Sequence, residues 1–320
     1  MEIRCAIETI DANIDHMVRT AVLQIVVLGM KHGIFSLLTT EPTLQELLDN
    51  IGLPNRALLV KFVHTLRDLG IVDVRGNRLS LDDFSYVLKI SPVACSTLLP
   101  DWMPIHEEIY RMVDYAFITP KHPHILMDFD KDADFWDMRM RTSFARAYRE
   151  VMARVAGIGP GSAVLDIGCG SVSPEFFGNF VGYDGFYLGL DYSSALLEIA
   201  RSRVESKGLP VYLKELDARL IRPVNKYDVV LMSFVLEYIE DRKKVLKNAF
   251  ETLELGGRLV IVEPFRDAFK DISALEFFEA LNRDFVGFPT AGEITGALRE
   301  LEFEFKAERP GRSVLIVEKL

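Results

Sequence analysis

The sequence predicts an α/β fold: a parallel sheet with helices on both faces, closed by a C-terminal antiparallel hairpin and preceded by a mainly α domain. Three observations predict it. From about residue 161 onward, short apolar runs alternate with stretches whose apolar residues recur every three or four positions, the pattern of a parallel sheet wrapped in helices. The run Val164-Leu165-Asp166-Ile167-Gly168-Cys169-Gly170 takes an apolar strand directly into two glycines, where a backbone free of Cβ atoms turns sharply beneath a ligand. Two strand-like runs, 302–308 and 313–318, are joined only by Arg309-Pro310-Gly311-Arg312, a connection short enough to demand an antiparallel hairpin.

Length and composition set the frame. The chain has 320 residues, 49% hydrophobic and 26% charged, with a net charge of −10. This is long enough for two domains, and the acidic balance argues against a nucleic-acid substrate, which needs clustered Lys and Arg. The three cysteines, Cys5, Cys95 and Cys169, are far apart and form no CxxC pair, so neither a disulfide framework nor a zinc site is indicated and a reduced, cytoplasmic setting is expected. The most apolar stretch, 21–30, is too short to span a bilayer and reads as a buried helix.

In the N-terminal region, residues 21–38 read as one long apolar helix. Thr43-Leu44-Gln45-Glu46 is a capping box opening a second helix. Asn55 caps a third, with Leu58, Leu59, Phe62, Val63, Leu66 and Leu69 on one face and Gly70 at its end. Runs 71–74 and 78–81 form a hairpin around Gly76-Asn77, and helix, helix, helix, hairpin is a winged helix. Over residues 1–90, however, nine Lys and Arg face eleven Asp and Glu. The third helix carries only Arg56, Lys61 and Arg67 among apolar residues, whereas a DNA-reading helix needs a polar or basic outer face. Packing against another subunit is the better reading, with DNA regulation by a ligand-sensing chain as its rival.

In the C-terminal region, 186–190 is a second strand ending in Asp191, twenty-three residues after Gly168, about where an acid grips a ribose diol. Run 211–214 precedes Asp217, placed to accept from an adenine amino group. Run 227–232 leads to Ser233-Phe234, and 259–262 follows a Gly256-Gly257 turn. Helices cover 195–206 and 242–253, and Ser173-Pro174 reads as a helix cap and first turn. A carboxylate at Asp166 suits a cationic ligand better than a pyrophosphate.

The glycine turn, the following acids and the final hairpin resemble the Rossmann-like class I S-adenosylmethionine-dependent methyltransferases. The run Leu28-Gly29-Met30-Lys31-His32-Gly33-Ile34-Phe35, with Leu66-Arg67-Asp68-Leu69-Gly70-Ile71-Val72 and Leu79-Ser80-Leu81, looks like the dimerisation domain of small-molecule O-methyltransferases. The resemblance implies a homodimer formed through residues 1–90, a connecting segment 91–158 lining the substrate pocket, and a catalytic domain 159–320. It implies S-adenosylmethionine as cofactor, held by Asp166, Gly168, Gly170, Asp191, Asp217, Ser233 and Phe234. The acceptor is a small, partly apolar molecule and oxygen the methylated atom; N- or C-methylation, or other chemistry on the same fold, are the alternatives.

The chain departs from the family twice. Val172 stands where a third glycine is usual. The family's histidine after the fourth strand is replaced by Glu237, and no histidine follows His124. Three readings stay open: Glu237 takes the substrate proton with its pKa raised by burial; His106, His122 or His124 reaches in; or no base is needed because in-line positioning suffices. Acids near the rim show no metal-ligand pattern, and no metal is expected.

Overall fold

The computed structural model describes residues 2–87, 98–119 and 127–320. Helix α1 (Ile3–Lys31) opens the chain, because Ile7, Ile10, Ile14, Met17, Val18 and Ala21 recur at helical spacing and are all buried. The single helix expected over 21–38 is in fact two. Gly33, at φ 67°, breaks it, and α2 (Ile34–Leu38) starts beyond the break.

Next come α3 (Leu44–Ile51), α4 (Arg56–Asp68) and an antiparallel hairpin of β1 (Val72–Arg75) and β2 (Arg78–Leu81). The capping box forms as expected: Thr43 Oγ1 accepts from Glu46 N at 3.2 Å, and Glu46 Oε2 accepts from Thr43 N at 2.7 Å. Asn55 caps α4 by accepting from Leu58 N at 3.0 Å, while its amide donates to Ala116 O at 2.9 Å. That second bond ties the cap to α5 (Met103–Ile118), which with α6 (Ala133–Met140) and α7 (Ser143–Ala156) forms the connecting segment.

The remaining elements in chain order are β3 (Ala163–Ile167), α8 (Ser173–Val181), β4 (Phe186–Asp191), α9 (Ser194–Lys207), β5 (Val211–Glu215), β6 (Tyr227–Ser233), α10 (Arg242–Glu251), β7 (Leu253–Val262), α11 (Ser273–Glu279), α12 (Ala291–Glu300), β8 (Phe305–Glu308) and β9 (Val314–Lys319). The strands lie in the order β5-β4-β3-β6-β7-β9-β8. Neighbours from β5 to β7 pair in parallel, and β9 runs antiparallel to both β7 and β8. The chain moves outward from β3 through β5, then returns to the other side of β3 with β6. The crevice beyond the strand ends at that reversal is where such sheets bind ligands.

One strand boundary differs from expectation. Gly256 and Gly257 do not precede the fifth parallel strand; they sit inside β7, as a bulge where its register with β6 jumps from Tyr227–Leu253 to Val229–Arg258. Gly256 supplies the positive φ of 76° that this bulge needs.

Apolar side chains pack on both faces of the sheet. One layer joins Val164, Tyr187, Val229 and Val260 to α1, α5, α7 and α11. The other joins Leu165, Ile167, Val230 and Ile261 to α10 and α12. N-terminal α1 therefore belongs to the core around the sheet, and a buried clasp fixes it there. Asp11 accepts from Arg312 N at 2.8 Å and from Ser313 N and Oγ at 3.0 and 2.5 Å. Gly311 is obligatory beside it, since a Cβ there would lie 2.2 Å from Ile7 Cγ2. Asp11→Ala leaves those buried donors unpaired and is expected to cost about 1–3 kcal/mol; a urea denaturation midpoint unchanged from wild type would contradict the clasp.

Candidate active site

Local backbone geometry builds the crevice. Gly168 and Gly170 both adopt left-handed φ, 71° and 57°, and a Cβ on Gly168 would lie 2.3 Å from Val235 Cγ2. Gly168 N and Cys169 N donate to Leu190 O at 2.8 and 3.0 Å. Gly170 N donates to Asp191 Oδ2 at 2.8 Å, and Ser193 N to Asp191 Oδ1 at 2.9 Å. Burial pushes the Asp191 carboxyl up to about 6, against the pull of these backbone donors. Val172, the residue in place of a third glycine, has φ −113° and ψ −37°. That is right-handed backbone open to any side chain, so the departure strains nothing. Ser173 is not the cap expected of it: it is the first residue of α8, and its hydroxyl accepts from Arg149 Nε at 2.9 Å.

Asp166, expected at the methionine end of the cofactor, lies behind the glycine turn. Its side chain lines neither cavity at the crevice. It is buried on the layer it shares with Val164, where Tyr187 Oη donates to Oδ2 at 2.7 Å, and burial raises its pKa to about 7. Strand alternation along β3 puts Asp166 on the same face as Val164, the side of α7.

Two adjoining cavities share Gly168, Asp191, Tyr192, Val235 and Tyr238. The first runs along Ile167, Leu190, Leu216, Asp217 and Ala218. Asp217 is present as expected but already engaged. It accepts from Arg219 N at 2.8 Å and from Arg219 Nε at 3.0 Å, and these hydrogen bonds hold its carboxyl below the usual range.

The second cavity is walled by Trp102, Phe129, Trp136, Phe144, Tyr238 and Phe288, with Ile14 and Met17 of α1 contributing. Ser233 and Phe234 line it too, and Phe234 sits at φ 49°, a conformation costly for a bulky residue that marks functional sites.

Two buried ionic groupings lie on this second cavity. Arg139 donates to both oxygens of Glu279, at 3.0 and 2.6 Å. Glu237 lines the wall, fully enclosed, and faces Glu263. Burial, then the Glu263 charge, pushes the Glu237 carboxyl well above its ordinary value. Glu263 is raised by burial as well, yet its Oε1 accepts from Val235 N and Leu236 N at 3.0 and 2.9 Å. Burial thus favours the protonated form of both carboxyls, and the neighbouring Glu263 adds to that push at Glu237.

Of the histidines considered, His106 stacks on Trp102 and lies behind the wall, lining neither cavity. Burial, then Arg139, lowers its pKa well below the ordinary value, so it is neutral. His122 and His124 lie outside the described residues. Three site residues escaped the sequence reading, Arg139, Arg149 and Glu279, whereas Glu263 is one of the rim acids it found, the residue just past an expected strand.

The crevice fits S-adenosylmethionine. Arg149 is buried beside the glycine turn with hydrogen bonds to neutral oxygens, Ser173 Oγ and Met140 O. Its charge is thereby available to the cofactor's carboxylate, with Asp191 available to the ribose hydroxyls.

Comparison with known proteins agrees. A methyltransferase-domain family matches residues 165–259, from β3 to β7. A demethylmenaquinone methyltransferase of Bacillus cytotoxicus is 32% identical over 47% of this chain and 67% of the relative; the chain belongs to the class I S-adenosylmethionine-dependent methyltransferases, and S-adenosylmethionine is its cofactor. It is 28% identical, over its whole length and 88% of the relative, to an uncharacterised protein of Methanocaldococcus jannaschii. It is 30% identical to the ubiquinone/menaquinone biosynthesis C-methyltransferase UbiE of Haemophilus ducreyi, over 43% of this chain and 54% of the relative; it thus spans about half the length of that enzyme. In fold it resembles the carbon methyltransferase DszA, at TM-score 0.69 and 14% identity over 96% of this chain and 90% of the other. An O-methyltransferase family 2 protein from Planctomyces limnophilus shares the fold at TM-score 0.50 and 18% identity, over 95% and 94%.

Asp191 must be ionised to accept from two ribose hydroxyls while keeping its backbone donors. S-adenosylhomocysteine affinity, measured by calorimetry, is expected to fall as pH drops through about 6, and Asp191→Asn should remove that dependence. A pH-independent wild-type affinity would contradict the assignment.

Proposed function

We propose that this enzyme methylates a hydroxyl oxygen of a small, partly apolar acceptor held among the aromatic side chains, with Glu237 as the proton acceptor. One observation carries the proposal: the buried Glu237 lines an aromatic cavity that opens onto the glycine turn, with the buried Glu263 carboxyl behind it. The cofactor supplies an electrophilic methyl on a sulfonium. The residues hold the acceptor in line and receive its proton: as the acceptor O–H ionises onto Glu237, the proton already there passes to Glu263. The O–CH3 bond forms, the S–CH3 bond breaks, and the pair ends doubly protonated. The single negative charge of the resting pair is what permits this, and it sits where water is excluded.

Carbon methylation is the second reading, favoured by the C-methyltransferase named above. Ionising a ring hydroxyl also enriches the neighbouring ring carbon, so the same glutamate serves either outcome. Carbon-13-labelled cofactor with a panel of phenols separates them, since methoxy and C-methyl carbons differ in chemical shift.

For the whole molecule, we propose a homodimer built on residues 1–90, with 91–158 connecting and 159–320 catalytic. Exposed Leu23, Val27 and Met30, spaced i, i+4 and i+7 along α1, support the contact. Among the described residues no helix is long and apolar enough to cross a membrane.

Glu237→Gln is expected to lower kcat about 10²–10⁴-fold while leaving the calorimetric affinity for S-adenosylhomocysteine within error of wild type. A variant as active as wild type on the phenol panel would show that positioning alone suffices.

A further inference from the structure

We propose that Asp137 is a positioning residue that ties the aromatic wall to the cofactor turn, so that ordering the turn on the cofactor sets the place of Trp136 and Arg139. The proposal rests on the methyltransferase reading of the site. It begins with the length of α6. Eight residues are too few for a helix to hold itself in water, so outside bonds must fix its direction.

Those bonds lead to the two turns that embrace the cofactor. Asp137 Oδ1 accepts from Ser171 Oγ at 2.6 Å, directly after Gly170. Arg203 of α9 joins the same node, with Nη2 donating to Asp137 Oδ2 at 2.7 Å and Nη1 to Ser171 O at 3.0 Å. Ser171 is fully enclosed and Asp137 nearly so. Burial opposes the Asp137 charge, but Arg203 and Ser171 hold its carboxyl below the ordinary range, so the node is ionic. Just upstream of α6, Asp130 Oδ1 accepts from Ser193 Oγ at 2.8 Å and from Ala195 N at 3.2 Å, immediately past Asp191. The residues flanking Asp137 in α6 are those of the cavity: Trp136, Arg139 and Met140. A shift of Ser171 therefore turns the helix that carries part of the aromatic wall.

This arrangement couples two ligands. Cofactor contacts at Gly168, Gly170 and Asp191 stiffen the turns, and the turns hold α6. The acceptor then meets a wall already in place, and couplings of this kind change affinity by about 5–150-fold.

Tryptophan emission reads the coupling without knowledge of the acceptor. Trp102 and Trp136 are the chain's two tryptophans, and both line the cavity. In full-length protein carrying Trp102→Phe, Trp136 alone reports on α6. S-adenosylhomocysteine is expected to lower acrylamide quenching of Trp136. Adding Asp137→Asn or, more gently, Ser171→Ala should abolish most of that change while calorimetry still shows the ligand bound. The proposal is overturned if quenching in the parent does not respond to bound ligand, or if both variants respond like the parent. It is equally overturned if both variants lose the ligand altogether, since the node would then hold the cofactor and transmit nothing. A parent that binds no S-adenosylhomocysteine in the calorimeter would instead overturn the cofactor reading itself.

Discussion

The site depends on a buried carboxylate shared by two turns. Parallel strands that end side by side leave backbone N–H groups pointing at one another's ends with no ladder to satisfy them. Asp191 supplies the missing acceptors, one oxygen to Gly170 N and the other to Ser193 N. Those two bonds lock the turn after β3 to the turn after β4, and every other feature is referred to that lock. Val235 closes on Gly168 from the β6 side, and Ser171 and Ser193 pass the constraint outward to Asp137 and Asp130. The cost is desolvation, which raises the Asp191 pKa to about 6. Because the group gains from protonation in the folded state, its contribution to stability is lost as pH rises through that value.

Much of this was legible because it is written locally. The glycine turn, the acid ending β4 and the Pro-Gly hairpin are patterns within a few residues, and their sheet follows from short-range rules. The capping box at Thr43 behaves likewise. Misreadings arose where a rule was applied without its geometry. Ser173 reads as a cap by its type, although it is the first residue of α8 and its hydroxyl is taken up by Arg149. Gly256 was taken for a turn, although a positive φ serves a bulge inside a strand equally well. What stayed hidden was the long-range pairing. Arg139 meets Glu279 across 140 residues, and Asp11 meets Ser313 across 302. No spacing rule connects such positions, because their meeting is a product of the finished fold.

The ionic content of the second cavity bears on the absent histidine. A neutral imidazole accepts a proton by becoming a cation, and Arg139 close by, with the sulfonium of the cofactor, would oppose that charge. A carboxylate pair accepts a proton by losing its negative charge, which low dielectric favours. The two backbone donors on Glu263 keep that charge from vanishing prematurely. In the proposed transfer to Glu237, the neighbouring Glu263 is the group that can take up the proton Glu237 already holds.

The residues that build this cavity come from far apart in the chain. The matched domain, 165–259, contains the glycine turn, Asp191, Ser233 and Glu237. Ile14 and Met17 come from α1, Trp136 and Arg139 from α6, and Glu279 and Phe288 from beyond β7. The cofactor half is thus carried by the part of the chain with common relatives, and the shape of the second cavity by segments before and after it. Such a cavity exists only if those segments are held to the sheet against their own entropy. The clasp of Asp11 on the hairpin, the node at Asp137 and the Arg139–Glu279 pair are among the buried polar ties that do so. Each joins an element too far along the chain, or too short, to be placed by local preference.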